Sequence, residues 1–190
     1  MDTELLFFDD LQVGDTFASA EHAVSAEDIK RFAAEFDPQP FHLDDAAARE
    51  TMFGALAASG WHTAAITMRL LVTSGPKLAN GVLGAGGEIE WKTPTRPGDV
   101  LRVDSEVLDL VPSRSRPDRG IVVMRSRTVN QRGDVVQTLV AKLMVAPVSL
   151  TILISSGVAH TACTSWTSLP SRPALACASI WRGGLALLWM

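Results

Sequence analysis

The chain has 190 residues, 47% of them apolar, which is enough for one domain with a substantial core. A formal net charge of −4 argues against a nucleic-acid partner, which needs a clustered basic face. The two cysteines, Cys163 and Cys177, both sit near the C-terminal end, so they build no disulfide framework and show no metal-ligand spacing with His. The acidic start Met1-Asp2-Thr3-Glu4 lacks the positively charged region of a secretory signal, and a metal-free cytoplasmic protein is expected.

In chain order, Leu11-Gln12-Val13-Gly14-Asp15 reads as a turn into a strand that runs to about Val24. Ser25 is placed to cap a helix with Glu27 and Asp28 in its first turn, and Ile29, Phe32, Ala33 and Phe36 recur on one face. Asp37-Pro38 ends that helix. The prolines at 38 and 40 disfavour helix at the residue before each, so Asp37 and Gln39 are expected to be extended. This stiff segment can aim Asp37 and His42 at one point, and a carboxylate and an imidazole converging on one water form a common acid/base pair. The plainer reading is a rigid loop in which Asp37 caps a helix and His42 is half buried. Asp44 to Thr51 reads as a short Ala-rich helix, with Asp44 and Asp45 at its start.

Ser59 to Thr73 is the longest helical pattern, interrupted by one charge, Arg69. A helix this apolar is expected to be covered on most sides. Beyond it the chain reads as strands: Val82-Leu83-Gly84, Glu88 to Lys92, Val100 to Leu110, Gly120 to Asn130 and Val135 to Val145. Turns are supplied by Arg96-Pro97-Gly98-Asp99 and by Asn130-Gln131-Arg132-Gly133-Asp134. One apolar helix followed by an antiparallel meander implies an α+β fold with a sheet wrapped round the helix. Arg114, Arg116 and Arg119 surround a proline-containing loop and read as a solvated hairpin tip, the alternative being contact with phosphate groups.

The run Phe32-x-x-x-Phe36-Asp37-x-Gln39-Pro40-Phe41-His42-x-Asp44, followed by Phe53-Gly54-Ala55-Leu56-Ala57-Ala58-Ser59-Gly60-Trp61-His62-Thr63, resembles the MaoC-like dehydratases and (R)-specific enoyl-CoA hydratases. These belong to the HotDog-fold superfamily, and the resemblance spans roughly Phe7 to Pro147. Their signature is an Asp-x-Asn-Pro-x-His segment, then a small-residue segment leading into a long central helix. Phe36 stands where the family has Gly, Gln39 where it has Asn, and Ser59-Gly60 where it has His-Gly. The resemblance implies a HotDog fold, an antiparallel β-sheet wrapped around a long central α-helix, in a domain of residues 1–147.

It further implies a lyase that hydrates a 2-enoyl-CoA to the 3-hydroxyacyl-CoA, or runs the reverse dehydration. Asp37 and His42 would hold and activate water, with Asp37 as base if burial lifts its pKa. The backbone N–H of Gly60, at the positive end of the helix, would take the developing enolate oxygen. Gln39, Phe41, Ser59, Trp61 and His62 are the candidate substrate-binding residues, although His62 beside an apolar face reads equally as a core residue. No cofactor is implied, since coenzyme A is part of the substrate, and a homodimer or higher homo-oligomer is expected, with no membrane partner. Two other readings stay open: a HotDog thioesterase, and an acyl-CoA-binding protein without turnover. The first needs a carboxylate on or near the central helix, and Ser59 to Val72 contains no Asp or Glu.

Residues 148–190 fall outside the resemblance. They are rich in Ser, Thr, Ala, Leu and Trp, and show neither a strand period nor a capped helix. Leu150 to Ile154 is too short to span a bilayer. We read this stretch as an unselected extension, against the alternative of an appendage for oligomerisation or membrane contact.

Overall fold

The computed structural model describes residues 5–148 except Ser115 and Pro117. The expectations for residues 149–190, both cysteines included, lie outside the described residues. Helix α1 spans Ala26–Phe36, and its N-cap Ser25 accepts the Asp28 N–H at 3.0 Å. Ile29 and Ala33 point fully inward. A one-turn helix α2, Pro40–Leu43, starts on the proline ring that presets its first φ angle. Helix α3, Asp45–Arg49, is capped by Asp44, which accepts the Ala47 N–H at 2.8 Å. Helix α4, Gly60–Ser74, is the long one, with Ser59 at its N-cap.

Six strands form one antiparallel sheet: β1 (Thr16–Ala18), β2 (His22–Ala23), β3 (Gly84–Trp91), β4 (Val100–Pro112), β5 (Gly120–Val129) and β6 (Val135–Val145). The order is β1-β4-β5-β6-β3, with β2 also pairing to β4. Strands β4, β5 and β6 make the expected meander, and Gly133, at φ 84°, turns the chain between the last two. Inward side chains alternate along these strands. Leu101 and Val103 of β4 and Val136 of β6 meet Ile66, Leu70 and Leu71 of α4, with Ile29 of α1 closing that side. Farther along, Val107, Val122, Met124, Leu143 and Val145 form a second apolar group with Leu11 and Leu78. The sheet therefore wraps α4 as the α+β reading required.

Three expectations change. The strand expected from Thr16 to Val24 is two short pieces. The break falls at Ser19, whose N–H still bonds the Val103 carbonyl at 2.9 Å while its hydroxyl, in place of its carbonyl, accepts the Val103 N–H at 2.8 Å. Of the two segments expected at Val82–Gly84 and Glu88–Lys92, Val82 and Leu83 lie outside the sheet, and one strand, β3, runs from Gly84 to Trp91 with a register shift between Gly84 and Gly86. Among the described residues, helix α4 is covered on one face. Trp61, Met68 and Val72 keep 55%, 44% and 52% of their surface, because they lie at i, i+7 and i+11, on a stripe turned away from the sheet. The buried face is unusually polar. Thr67 Oγ1 lies 2.6 Å from Thr128 Oγ1 and accepts Gln137 Nε2–H at 3.0 Å, while Thr63 donates to Thr95 at 2.9 Å. Each hydroxyl is buried and each has a partner, as burial in an apolar setting demands.

Candidate active site

Asp37 is the last residue tied to α1: its N–H still bonds the Ala33 carbonyl at 2.9 Å, but its φ and ψ of −152° and 68° leave the helix. Pro38 prevents continuation. Gln39 is extended, as expected, and Pro40 then opens α2 so that His42 comes back beneath Asp37 and is buried. His42 Nδ1 lies 2.7 Å from the carbonyl oxygen of Ala57. A carbonyl only accepts, so Nδ1 carries the proton and Nε2 is left to face Asp37 Oδ2 at 3.4 Å. Phe41 packs edge-on against the imidazole at 4.5 Å and also meets Phe53 at 5.0 Å, which fixes the ring plane.

The carboxylate is held from three sides. Ser59 Oγ–H donates to Oδ2 at 2.6 Å, Gln39 Nε2–H donates to Oδ1 at 2.7 Å, and the third neighbour is His42. Burial is the largest single influence on Asp37 and pushes its pKa up. The hydrogen bonds from Ser59 and Gln39, with a smaller electrostatic pull from His42 when it is protonated, together outweigh it and hold the carboxyl below its usual 3.8. The expectation that burial makes Asp37 more basic is thus corrected: the donors around it win.

Ser59, itself buried, serves two purposes, since its Oγ also accepts the Trp61 N–H at 3.2 Å as the cap of α4. Gly60 is the next residue and opens the helix, and its N–H has no partner among the described residues. A Cβ at Gly60 would meet the Trp91 indole at 2.7 Å, so the ring lies directly on the backbone there. The indole is held in turn by Nε1–H donating to Gln137 Oε1 at 2.9 Å.

Asp37, His42, Ser59, Gln39 and Phe41 therefore converge, and Gly60 adjoins them through the chain. Trp61 does not reach the carboxylate. It stands edge-on to Trp91 at 5.4 Å and borders an apolar cavity of about 570 Å³ between α4 and strands β3, β5 and β6. His62 turns the other way, into the seam between α1 and α4, stacked on Phe32 at 4.7 Å. Its buried Nδ1 has no partner among the described residues, and burial, the dominant influence, holds the imidazole below its usual 6.5. Two participants escaped the sequence reading. Ala57 contributes through its carbonyl, which no side-chain pattern reveals, and Trp91 lies 31 positions beyond Gly60 on another element. Arg119 pairs with Asp118 at 2.6 Å, in keeping with a solvated tip. Among the described residues no three His, Cys, Asp or Glu side chains gather as metal ligands, and no helix is long and apolar enough to cross a membrane.

A family model described as MaoC like domain matches residues 10–129. The chain belongs to this family. The MaoC-like domain also aligns with the crystal structure of a MaoC-like dehydratase from Rhodospirillum rubrum. That alignment has 64% identity and a TM-score of 0.74, over 75% of this chain and 97% of that one. A protein of Methylorubrum extorquens named 3-hydroxybutyryl-CoA dehydratase is 34% identical over 113 residues, 59% of this chain and 70% of the relative. An (R)-specific enoyl-CoA hydratase of Rhodospirillum rubrum is 30% identical over 114 residues, 60% of this chain and 77% of the relative. The fold is the HotDog arrangement of these neighbours, and the similarities support a hydratase or dehydratase at the level of the family.

Proposed function

We propose that the protein catalyses the reversible hydration of a 2-enoyl-CoA to a 3-hydroxyacyl-CoA. The observation that carries the proposal is the 3.4 Å separation of Asp37 Oδ2 and His42 Nε2, two acceptors facing one point. A water there donates one hydrogen to each and turns its lone pairs outward. As its oxygen bonds to Cβ of the enoyl thioester, one proton leaves for the pair. Asp37 is ionised and weakly basic in its hydrogen-bonded setting, and an imidazole is intrinsically the stronger base, so the proton passes to Nε2. The carboxylate then stabilises the cation. The enolate oxygen that develops is taken by the free Gly60 N–H at the positive end of α4. Return of a proton to Cα completes the addition. Acid/base help of this kind is worth about 10²–10⁴-fold.

Crotonyl-CoA is the probe of choice. Loss of the enoyl absorbance without thiol release supports the proposal. Thiol release points to a thioesterase, and no change in either signal points to a binding protein; both outcomes reject the hydratase.

We further infer that the working unit is at least a dimer of this chain. Strand β3 is a long sheet edge with almost every residue exposed, and the Trp61, Met68 and Val72 stripe lies uncovered beside it. An open edge next to an apolar stripe invites a partner. Light scattering at micromolar concentration tests this: a monomer that retains full activity contradicts it.

A further inference from the structure

We propose that Arg96 is a positioning residue for the Asp37–His42–Ser59 site, acting through the strap of residues 51–59 that joins α3 to α4. The inference rests on the hydratase reading for its effect on rate, though its geometry stands apart from it. The strap has turns but no regular ladder or helix bonds, yet it carries two of the groups the site depends on. These are the Ala57 carbonyl that orients His42 and the Ser59 hydroxyl, which both holds Asp37 and caps the helix that starts at Gly60.

Arg96 is what ties the strap down. Its Nη1 donates to the carbonyls of Ala55 at 2.6 Å and Leu56 at 3.1 Å, and its Nη2 donates to Phe53 at 2.6 Å. One planar fork thus serves three carbonyls that lie one to four residues before Ala57. A guanidinium can do this because its donors diverge in a fixed plane; an ammonium is a point donor on a flexible stem. The strap gains two backbone ties as well: the Ala58 N–H bonds the Thr95 carbonyl at 2.9 Å and the Ala57 N–H the Phe41 carbonyl at 3.5 Å.

The clamp is itself anchored. Arg96 N–H donates to Asp99 Oδ2 at 2.8 Å, and Asp99, though nearly fully buried, also receives Arg132 at 3.1 Å on its other oxygen. The turn that sequence alone presents as a plain loop connector is therefore a rigid base, and the arginine projecting from it sets the height of Ala57. If the strap drifts, His42 Nδ1 loses its acceptor, the ring is free to turn, and Nε2 no longer faces Asp37. Misplacement by about 1 Å is enough to cost roughly 10²-fold in rate.

The test uses Arg96→Met, Arg96→Lys and, as control, Arg102→Met, which removes an exposed arginine paired with Asp104 and touches neither the strap nor the turn at 96–99. Two readouts are taken: steady-state hydration of crotonyl-CoA, and the ¹⁵N resonances of the His42 ring, assigned by their loss in His42→Ala. We expect both Arg96 variants to lower kcat by about 10²-fold with KM within about twofold, and to shift the Nδ1 resonance away from its bonded position. Arg102→Met should change neither. Should Arg96→Met fail to fold, Arg96→Lys, which keeps the charge, decides alone. Unchanged His42 resonances overturn the proposal whatever happens to kcat, and so does a rise in KM at constant kcat, which would make Arg96 a substrate contact. If the wild-type protein shows no hydration at all, the proposed function falls, while the resonances still decide the role of Arg96.

Discussion

Replacing Ser59 by Ala removes one oxygen that makes two bonds, and its consequences can be worked from the geometry. The bond to Asp37 is short, at 2.6 Å, and charge-assisted; such bonds contribute about 1.5–3 kcal/mol. The cap on Trp61 N–H, at 3.2 Å, falls at the weak end of the roughly 0.5–2 kcal/mol that N-caps provide. Asp37 keeps its Gln39 donor and some contact with solvent, so the net loss should be about 2 kcal/mol, or roughly 4–8 °C in melting temperature for a domain of this size. The pH dependence separates this account from simple loss of packing. In the native protein the Asp37 pKa lies below its unfolded value, so its contribution is present above the unfolded pKa and is lost as pH falls through the folded one. In Ser59→Ala, burial meets less opposition and the carboxyl pKa moves up. The stability gap between the two proteins should therefore be widest at neutral pH and narrow in acid. Thermal melts between pH 3 and 7 provide the assay. A gap independent of pH would refute the role given to Ser59.

Gly60→Ala puts a Cβ 2.7 Å from an indole that Gln137 holds in place. Overpacking of about 1–3 kcal/mol should exceed the helix-propensity gain of about 1 kcal/mol, so calorimetry should show a destabilised protein; a stabilised one would mean that Trp91 yields freely. Thr67→Val leaves Gln137 Nε2 and Thr128 Oγ1 without their shared partner in a fully buried place, and urea unfolding should register a loss of about 2 kcal/mol. His62→Phe should keep the stack on Phe32 and remove an orphaned nitrogen. Because the His62 pKa is depressed, the native protein loses stability as pH falls below the unfolded value near 6.5, and the variant should lose less over the same range.

The local signals in the sequence carried well where chemistry is local. Ser25, Asp44 and Ser59 each cap the helix that follows, and the Asp37-Pro38 stop and the turns at 96–99 and 130–134 sit where their residues demand. The one-turn helix α2 was hidden because four residues give no period to read. The uncovered stripe of α4 was misjudged for a different reason: Trp61, Met68 and Val72 look like core residues, and only the third dimension shows that the sheet reaches the other face. The pKa of Asp37 depends on donors 2 and 22 positions away, so its direction was not legible from burial alone. Arg96 read as part of a turn, since its three carbonyl partners lie about 40 residues earlier in the chain.

The central claim is that Asp37 and His42 act as a unit on one water. It is tested most directly by the kcat/KM for crotonyl-CoA hydration of Asp37→Asn, His42→Ala and the double variant. Each single change should lower the rate by about 10²–10⁴-fold with circular dichroism unchanged. The double variant should be little slower than either single, as groups acting together require. Near-wild-type turnover in either single variant, or losses in the double that multiply as independent effects, would contradict the account.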